Sequence, residues 1–122
     1  MAEKADFEGI FARLKAILQE YEPALSVKSD EPGNYSLNTP FSETYQKEIY
    51  FGSVQIKKDQ VSFYLMPIYW YPDLLDDISP ALKARLDGKS SFRFEASDEE
   101  TFAELARLTM RGAERFREAQ YI

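Results

Sequence analysis

The sequence predicts an α+β fold, in which an antiparallel sheet of about five strands carries the N- and C-terminal helices on one face. Both ends of the chain have apolar residues at helical spacing, and the segments between them alternate apolar with polar residues and are separated by turn residues. The predicted order is α-β-β-β-β-α-β-α, because terminal helices on one side of a sheet bury both apolar stripes. The length of 122 residues fits a single domain over 1–122.

The first predicted element is a helix that begins after Asp6, a residue type suited to the N-cap, and ends before Pro23. Its apolar residues recur at spacings of three and four and form one stripe: Phe7, Ile10, Phe11, Leu14, Ile17, Leu18 and Tyr21. We expect this stripe to pack on the sheet.

Two hairpins are predicted next. Residues 24–38 form two short strands around a turn at 30–34, and residues 48–56 and 61–66 form a longer pair around a turn at 57–60. Pairing Ile56 with Val61 places Val54 opposite Phe63 on one apolar face. The other face then carries Ser53 and Tyr64 near the turn, with Phe51 and Met66 farther along.

The remaining elements are predicted from caps and turn residues. Pro72 begins a short helix, and Ser79 caps its continuation. Gly88 then ends that helix before a strand over 91–95. Ser97 and Glu100 form a capping box for the last helix.

Composition excludes several classes of function. A net charge of −6 disfavours nucleic acid and anionic membranes as partners. The chain has no cysteine and no histidine, which excludes disulfides, thiolate metal sites and histidine-based catalysis. The N-terminus lacks the pattern of a secretory signal, and the apolar stretch 63–72 is too short to span a bilayer, so a cytoplasmic location is expected.

The aromatic end of the central hairpin is the predicted site for a ligand or partner. Its residues are Phe51, Tyr64, Met66, Tyr69 and Trp70. Rings with polar tips suit such contacts when no helix covers them. The alternative is that the segment 38–45 folds over the rings and seals them.

Two other patterns have an ordinary structural interpretation. Asp73, Asp76 and Asp77 share one side of a predicted helical turn and could bind a hard cation, although solvated surface carboxylates are the simpler interpretation. The run 88–90 has the sequence Gly-Lys-Ser found at the end of phosphate-binding loops. Lys83 stands where that motif needs its first glycine, and a helix stop explains the run better.

The stretch from about Tyr45 to Phe116 resembles the YdhG-like family of bacterial domains. The matching segments are Val61-Ser62-Phe63-Tyr64, Pro72-Asp73-Leu74-Leu75, Gly88-Lys89, Ser91-Phe92-Arg93-Phe94 and the closing helix Phe102 to Phe116. The resemblance implies a small α+β domain with an antiparallel sheet and flanking helices. It also implies a frataxin-like iron chaperone role for some members, and no catalytic residues.

These observations predict a non-enzymatic binding module without a cofactor. The expected partners are a second copy of the chain, a small molecule or another protein. A carrier of iron or another divalent metal is the alternative function.

Overall fold

The computed structural model describes residues 6–122. Its helices are α1 (Phe7–Gln19), α2 (Met66–Trp70), α3 (Pro80–Lys83) and α4 (Glu99–Glu118), and its strands are β1 (Ser26–Glu31), β2 (Asn34–Asn38), β3 (Tyr50–Ile56), β4 (Val61–Leu65) and β5 (Ser91–Phe94). Two short 3₁₀ turns lie at Glu22–Ala24 and Pro72–Leu75.

The five strands form one antiparallel sheet in the order β1-β2-β3-β4-β5. Short turns at 32–33 and 57–60 join β1 to β2 and β3 to β4, as antiparallel neighbours allow. Residues 39–49 join β2 to β3, whereas the segment 66–90, with α2 and α3, joins β4 to β5. The predicted pairing of the central hairpin is confirmed, since Val54 lies opposite Phe63 and Ser53 lies opposite Tyr64. Val54 and Phe63 therefore lie on one face of the sheet, and Ser53 and Tyr64 lie on the other.

Both long helices cover the face that carries Phe63. A Cβ atom added to Gly52 would lie 3.4 Å from Leu18 of α1. At β5, the Phe94 ring lies 5.0 Å from the Phe102 ring of α4. The predicted α+β fold with terminal helices on one face is confirmed.

The prediction for Phe51 is wrong. Leu37 pairs with Gly52 and Asn38 pairs with Tyr50, so Phe51 is the extra residue of a β-bulge. A bulge interrupts the alternation of side chains along a strand. Phe51 consequently lies on the helix side, fully buried, with its ring 5.9 Å from that of Tyr21.

The sequence prediction also missed α2. It extended β4 through Met66, whereas the strand ends at Leu65 and Met66 begins a helical turn. Pro67 gives the reason, because proline has no N–H to donate to a sheet and is favoured in the first turn of a helix. The aromatic residues 69–71 therefore leave the sheet with this helix.

Two predicted N-caps are confirmed. The Asp6 carboxylate accepts a hydrogen bond from the Gly9 N–H at 2.9 Å, and the Ser79 hydroxyl accepts one from the Leu82 N–H at 3.2 Å. Such acceptors satisfy N–H groups that have no partner inside the helix.

Two other helix boundaries differ from the prediction. Asp98, not Ser97, caps α4 and accepts from the Thr101 N–H at 3.2 Å. Helix α3 ends at Lys83, so Gly88 lies in the turn before β5, with a φ of +88°. Within residues 6–122, none of the helices combines the length and the apolar character that crossing a bilayer requires.

Candidate functional site

The five residues of the predicted aromatic site do not form one surface. Phe51 lies in the core, Tyr64 lies on the open sheet face opposite the helices, and Met66, Tyr69 and Trp70 belong to α2. The bulge at Phe51 and the helical turn after Leu65 separate them.

The open sheet face combines small serines with the rings of Tyr50 and Tyr64. Across the sheet, Ser36 pairs with Ser53, Ser53 with Tyr64, and Tyr64 with Ser91. The Tyr50 hydroxyl is hydrogen-bonded to Ser53, and burial raises the pKa of Tyr50 to about 12. Ser53 and Ser91 are buried and Tyr50 and Tyr64 are half-buried, so this face is only partly exposed to water although no helix covers it.

The rings of the C-terminal region gather around Phe116 instead. Its ring centroid lies 5.0 Å from Tyr121, 5.7 Å from Trp70, 5.8 Å from Phe51 and 6.4 Å from Tyr71. Trp70 also lies edge-on to Tyr121, at 5.2 Å. These contacts cover most of the indole and leave 37% of Trp70 exposed. We call these five residues the Phe116 ring cluster.

The end of α4 brings Tyr121 onto this cluster. The Tyr121 N–H donates to the Phe116 carbonyl at 2.9 Å, and the Gln120 N–H donates to the Arg117 carbonyl at 3.0 Å. Gln120 has a φ of +67°. This is the Schellman arrangement, which reverses the chain at a helix end and places the next apolar residue against the helix.

The segment 38–45 contacts the cluster at its margin. The Tyr45 ring lies 4.7 Å from the Tyr121 ring, and the Tyr45 hydroxyl donates to the Ala119 carbonyl at 2.9 Å. Tyr121 is not one of the five predicted site residues, so coverage of their rings by the segment 38–45 stays a prediction. Phe51, however, is sealed by the helices, through its contacts with Tyr21 and Phe116.

A groove of about 590 Å³ lies between α2, the 3₁₀ turn 72–75 and the turn before β5. Its lining residues are Ile68, Tyr69, Pro72, Leu75, Gly88 and Lys89. Ile68 is buried, whereas Tyr69 is 52% exposed. A volume of this size is within the range of small-molecule sites, which combine an apolar lining with few polar groups. We call it the α2 groove.

One backbone contact holds the two sides of the α2 groove together. The Leu65 N–H donates to the Ser90 carbonyl at 2.8 Å, just where β4 passes into α2. The turn 88–90 is thereby fixed beside the first residues of α2. Of the predicted site residues, only Tyr69 lines this groove.

Sequence reasoning missed Gly88 and Lys89 as site residues. The run 88–90 indicates a helix stop, because the phosphate-loop pattern is incomplete. The sequence signal is the glycine turn with its lysine, Gly88-Lys89, together with the apolar segment 63–72, whose prolines interrupt the strand.

A second cavity of about 520 Å³ lies where the start of α1 approaches the β1–β2 turn. It is lined by Glu8, Phe11, Pro32, Gly33 and Ile56. None of the predicted site residues contributes to it. Its one charged lining residue is Glu8, and the cavity has no clear set of converging polar groups.

Of the three candidate metal ligands, two form ion pairs, each with a different arginine. Asp73 forms a two-point ion pair with Arg115, and Asp77 lies 3.8 Å from Arg111. The hydrogen bond from Arg115 lowers the pKa of Asp73. The 3₁₀ turn ends at Leu75, so these aspartates do not share the α-helical turn on which the prediction depended. Between residues 6 and 122, no group of three or more histidine, cysteine or acidic side chains is arranged to hold a metal ion.

No protein-family model, curated protein or solved structure matches this chain. The resemblance to the YdhG-like family therefore stays a prediction. The fold and the α2 groove provide the basis for a functional proposal.

Proposed function

We propose that this protein is a non-enzymatic domain that binds a small molecule in the α2 groove. The observation that carries the proposal is the combination of an apolar floor with a half-exposed tyrosine and one lysine. Ile68, Pro72 and Leu75 supply apolar contact area, which drives association through removal of surface from water. Tyr69 supplies a ring face together with a hydroxyl that can fix orientation.

The chemistry of the groove supports binding rather than catalysis. General acid–base catalysis needs titratable groups with suitable pKa values placed around a reacting atom. The residues that line the α2 groove include one lysine and one tyrosine, but no carboxylate or other base beside them. A bound molecule would be held there without an evident pair of groups to move a proton.

The test is a titration with small aromatic fragments, observed through the backbone amide NMR signals of the protein. We expect indole and phenol to shift the signals of Ile68, Tyr69, Leu75 and Lys89. Tyr69→Ala should weaken these shifts while leaving the fold intact, because that side chain is largely exposed.

Met110→Ala is the matched control, since Met110 is 48% exposed and lies on α4 outside the α2 groove. Its titration curves should equal those of the wild type. Fragment shifts confined to other regions, or equal shifts in wild type and Tyr69→Ala, would overturn the proposal.

The homodimer expected from the sequence remains a separate proposal. Its support is the partial exposure of Tyr69 and Trp70 on adjacent positions of α2. Sedimentation of wild type and Trp70→Ala at several concentrations tests it, and an identical monomeric mass for both proteins would rule it out.

Metal carriage is the less favoured function, because arginines already neutralise Asp73 and Asp77. Calorimetric titration with Fe²⁺ and Mg²⁺ tests it. Equal, weak heats in wild type and Asp76→Ala would exclude a site at these aspartates.

A further inference from the structure

We propose that the molecule bound in the α2 groove carries one carboxylate beside a flat apolar body, with the carboxylate held at the Gly88–Ser90 turn. This inference rests on the proposed function and adds the chemical class of the ligand. Lys89 would bind the carboxylate, while Tyr69 and the apolar floor would contact the body.

The charge around the groove gives the first argument. Lys89 is the one charged residue that lines it, and within residues 6–122 the Lys89 ammonium forms no ion pair. Of the aspartates near the lining residues in the sequence, Asp73 pairs with Arg115 and Asp87 lies 3.9 Å from Arg93. None of Asp73, Asp76 and Asp87 forms an ion pair with Lys89, so its ammonium is available to an anion from solution.

The backbone of the turn gives the second argument. The N–H groups of Gly88, Lys89 and Ser90 donate no hydrogen bond to any acceptor between residues 6 and 122. Gly88 has a φ of +88°, and no heavy atom lies within 4 Å of the place where its Cβ would be. Successive N–H groups at a turn form anion-binding concavities when they are open to a ligand.

The number of charges favours a carboxylate over a phosphate. The chain has a net charge of −6, which repels anions at long range. One lysine balances one carboxylate, whereas a phosphate monoester brings about 1.5 to 2 negative charges at neutral pH. The apolar lining also requires a ligand with substantial apolar area, which acetate or inorganic phosphate alone lacks.

The experiment compares four probes by NMR titration: indole-3-acetate, its neutral amide, phenyl phosphate and acetate. We expect the indole acid to bind about fivefold to tenfold more tightly than the amide, a difference typical of one charge-assisted hydrogen bond at a partly exposed site. Phenyl phosphate should bind more weakly than the acid, and acetate should give no saturable shift. Raising the salt concentration from about 20 mM to 500 mM should remove most of the preference for the acid.

Variants identify the groups responsible. Lys89→Gln should abolish the preference for the acid while leaving the affinity for the amide unchanged. Tyr69→Ala should weaken both ligands by a similar factor. Lys58→Gln is the matched control, because Lys58 is an exposed lysine in the β3–β4 turn outside the groove, and it should keep the full preference.

The outcomes separate this inference from the proposed function. Equal binding of acid and amide to the wild type, or a preference that survives Lys89→Gln, would overturn the carboxylate assignment and leave the binding groove. Tighter binding of phenyl phosphate than of the acid would overturn it in favour of a phosphate site. Failure of both indole ligands to shift the groove signals would instead count against the proposed function.

Discussion

The Phe51 and Phe116 rings lie 5.8 Å apart with their planes at 70°, an edge-to-face contact between β3 and α4. This contact exists because the bulge in β3 turns Phe51 toward the helices. Edge-to-face geometry is favourable for aromatic pairs. The same contact joins the Phe116 ring cluster to the centre of the core, so the position of Phe51 adds a ring to the face that the helices cover.

Phe51→Ala should be strongly destabilising. Truncation of a fully buried phenylalanine leaves a cavity and costs about 3–5 kcal/mol of the free energy of unfolding. Urea denaturation followed by tryptophan fluorescence measures the loss. Tyr69→Ala, at an exposed position, should cost less than about 1 kcal/mol. Similar midpoints for the two variants would contradict the buried position of Phe51.

Gly112→Ala should destabilise the protein, although alanine is normally favoured over glycine in a helix by about 1 kcal/mol. A Cβ atom at Gly112 would lie 2.8 Å from the Pro67 Cβ of α2. The two helices would have to separate, and overpacking of this kind costs about 1–3 kcal/mol. Thermal denaturation measures the sign of the change, with Met110→Ala as the exposed control on the same helix. A raised melting temperature for Gly112→Ala would show that α2 and α4 are not so close.

Gln120→Gly should stabilise the protein by about 1 kcal/mol, because residue 120 has the left-handed backbone conformation that glycine adopts without steric cost. Gln120→Ala is the matched control, since alanine keeps the Cβ atom and should change stability little. Chemical denaturation of the three proteins gives the comparison. Equal stability of the glycine and alanine variants would contradict the Schellman arrangement at the end of α4.

Asp98→Asn should reduce the pH dependence of stability at acidic pH. The Thr101 hydroxyl and N–H donate to the Asp98 carboxylate and lower its pKa below the ordinary value of 3.8. A lowered folded-state pKa adds stability above the unfolded-state value, and that stability is lost as the pH falls through the folded-state pKa. Asparagine keeps the capping oxygen but does not titrate.

The measurement is the free energy of unfolding of wild type and Asp98→Asn from about pH 7 to pH 2. The advantage of the wild type should be constant at neutral pH and should disappear as the pH falls below about 4. Asp98→Ala, which also removes the cap, should cost about 1 kcal/mol at neutral pH. A gap between wild type and Asp98→Asn that stays constant down to pH 2 would contradict the role of the ionised carboxylate.

The candidate site was only partly predictable from the sequence. The sequence pattern identifies Tyr69 but groups it with Phe51 and Tyr64, from which the bulge and α2 separate it. It places Lys89 only in a turn, because the proximity of residues 69 and 89 depends on how β4 and β5 pair. A pattern within one segment carries no information about such a distance.

The sequence by itself determined the fold class, the register of the central hairpin and the two faces of Phe63 and Tyr64, because alternation and helical spacing are local properties of the chain. Only the tertiary structure decided the position of Phe51, the beginning of α2 and the assembly of the α2 groove. A single unpaired residue in β3 shifts the alternation, so that Phe51 lies on the helix side and Tyr50 on the side of Ser53. Pro67 ends a strand whose apolar pattern continues past it. These outcomes depend on pairing and packing between distant segments, where burial of Phe51 against Phe116 outweighs the simple alternation.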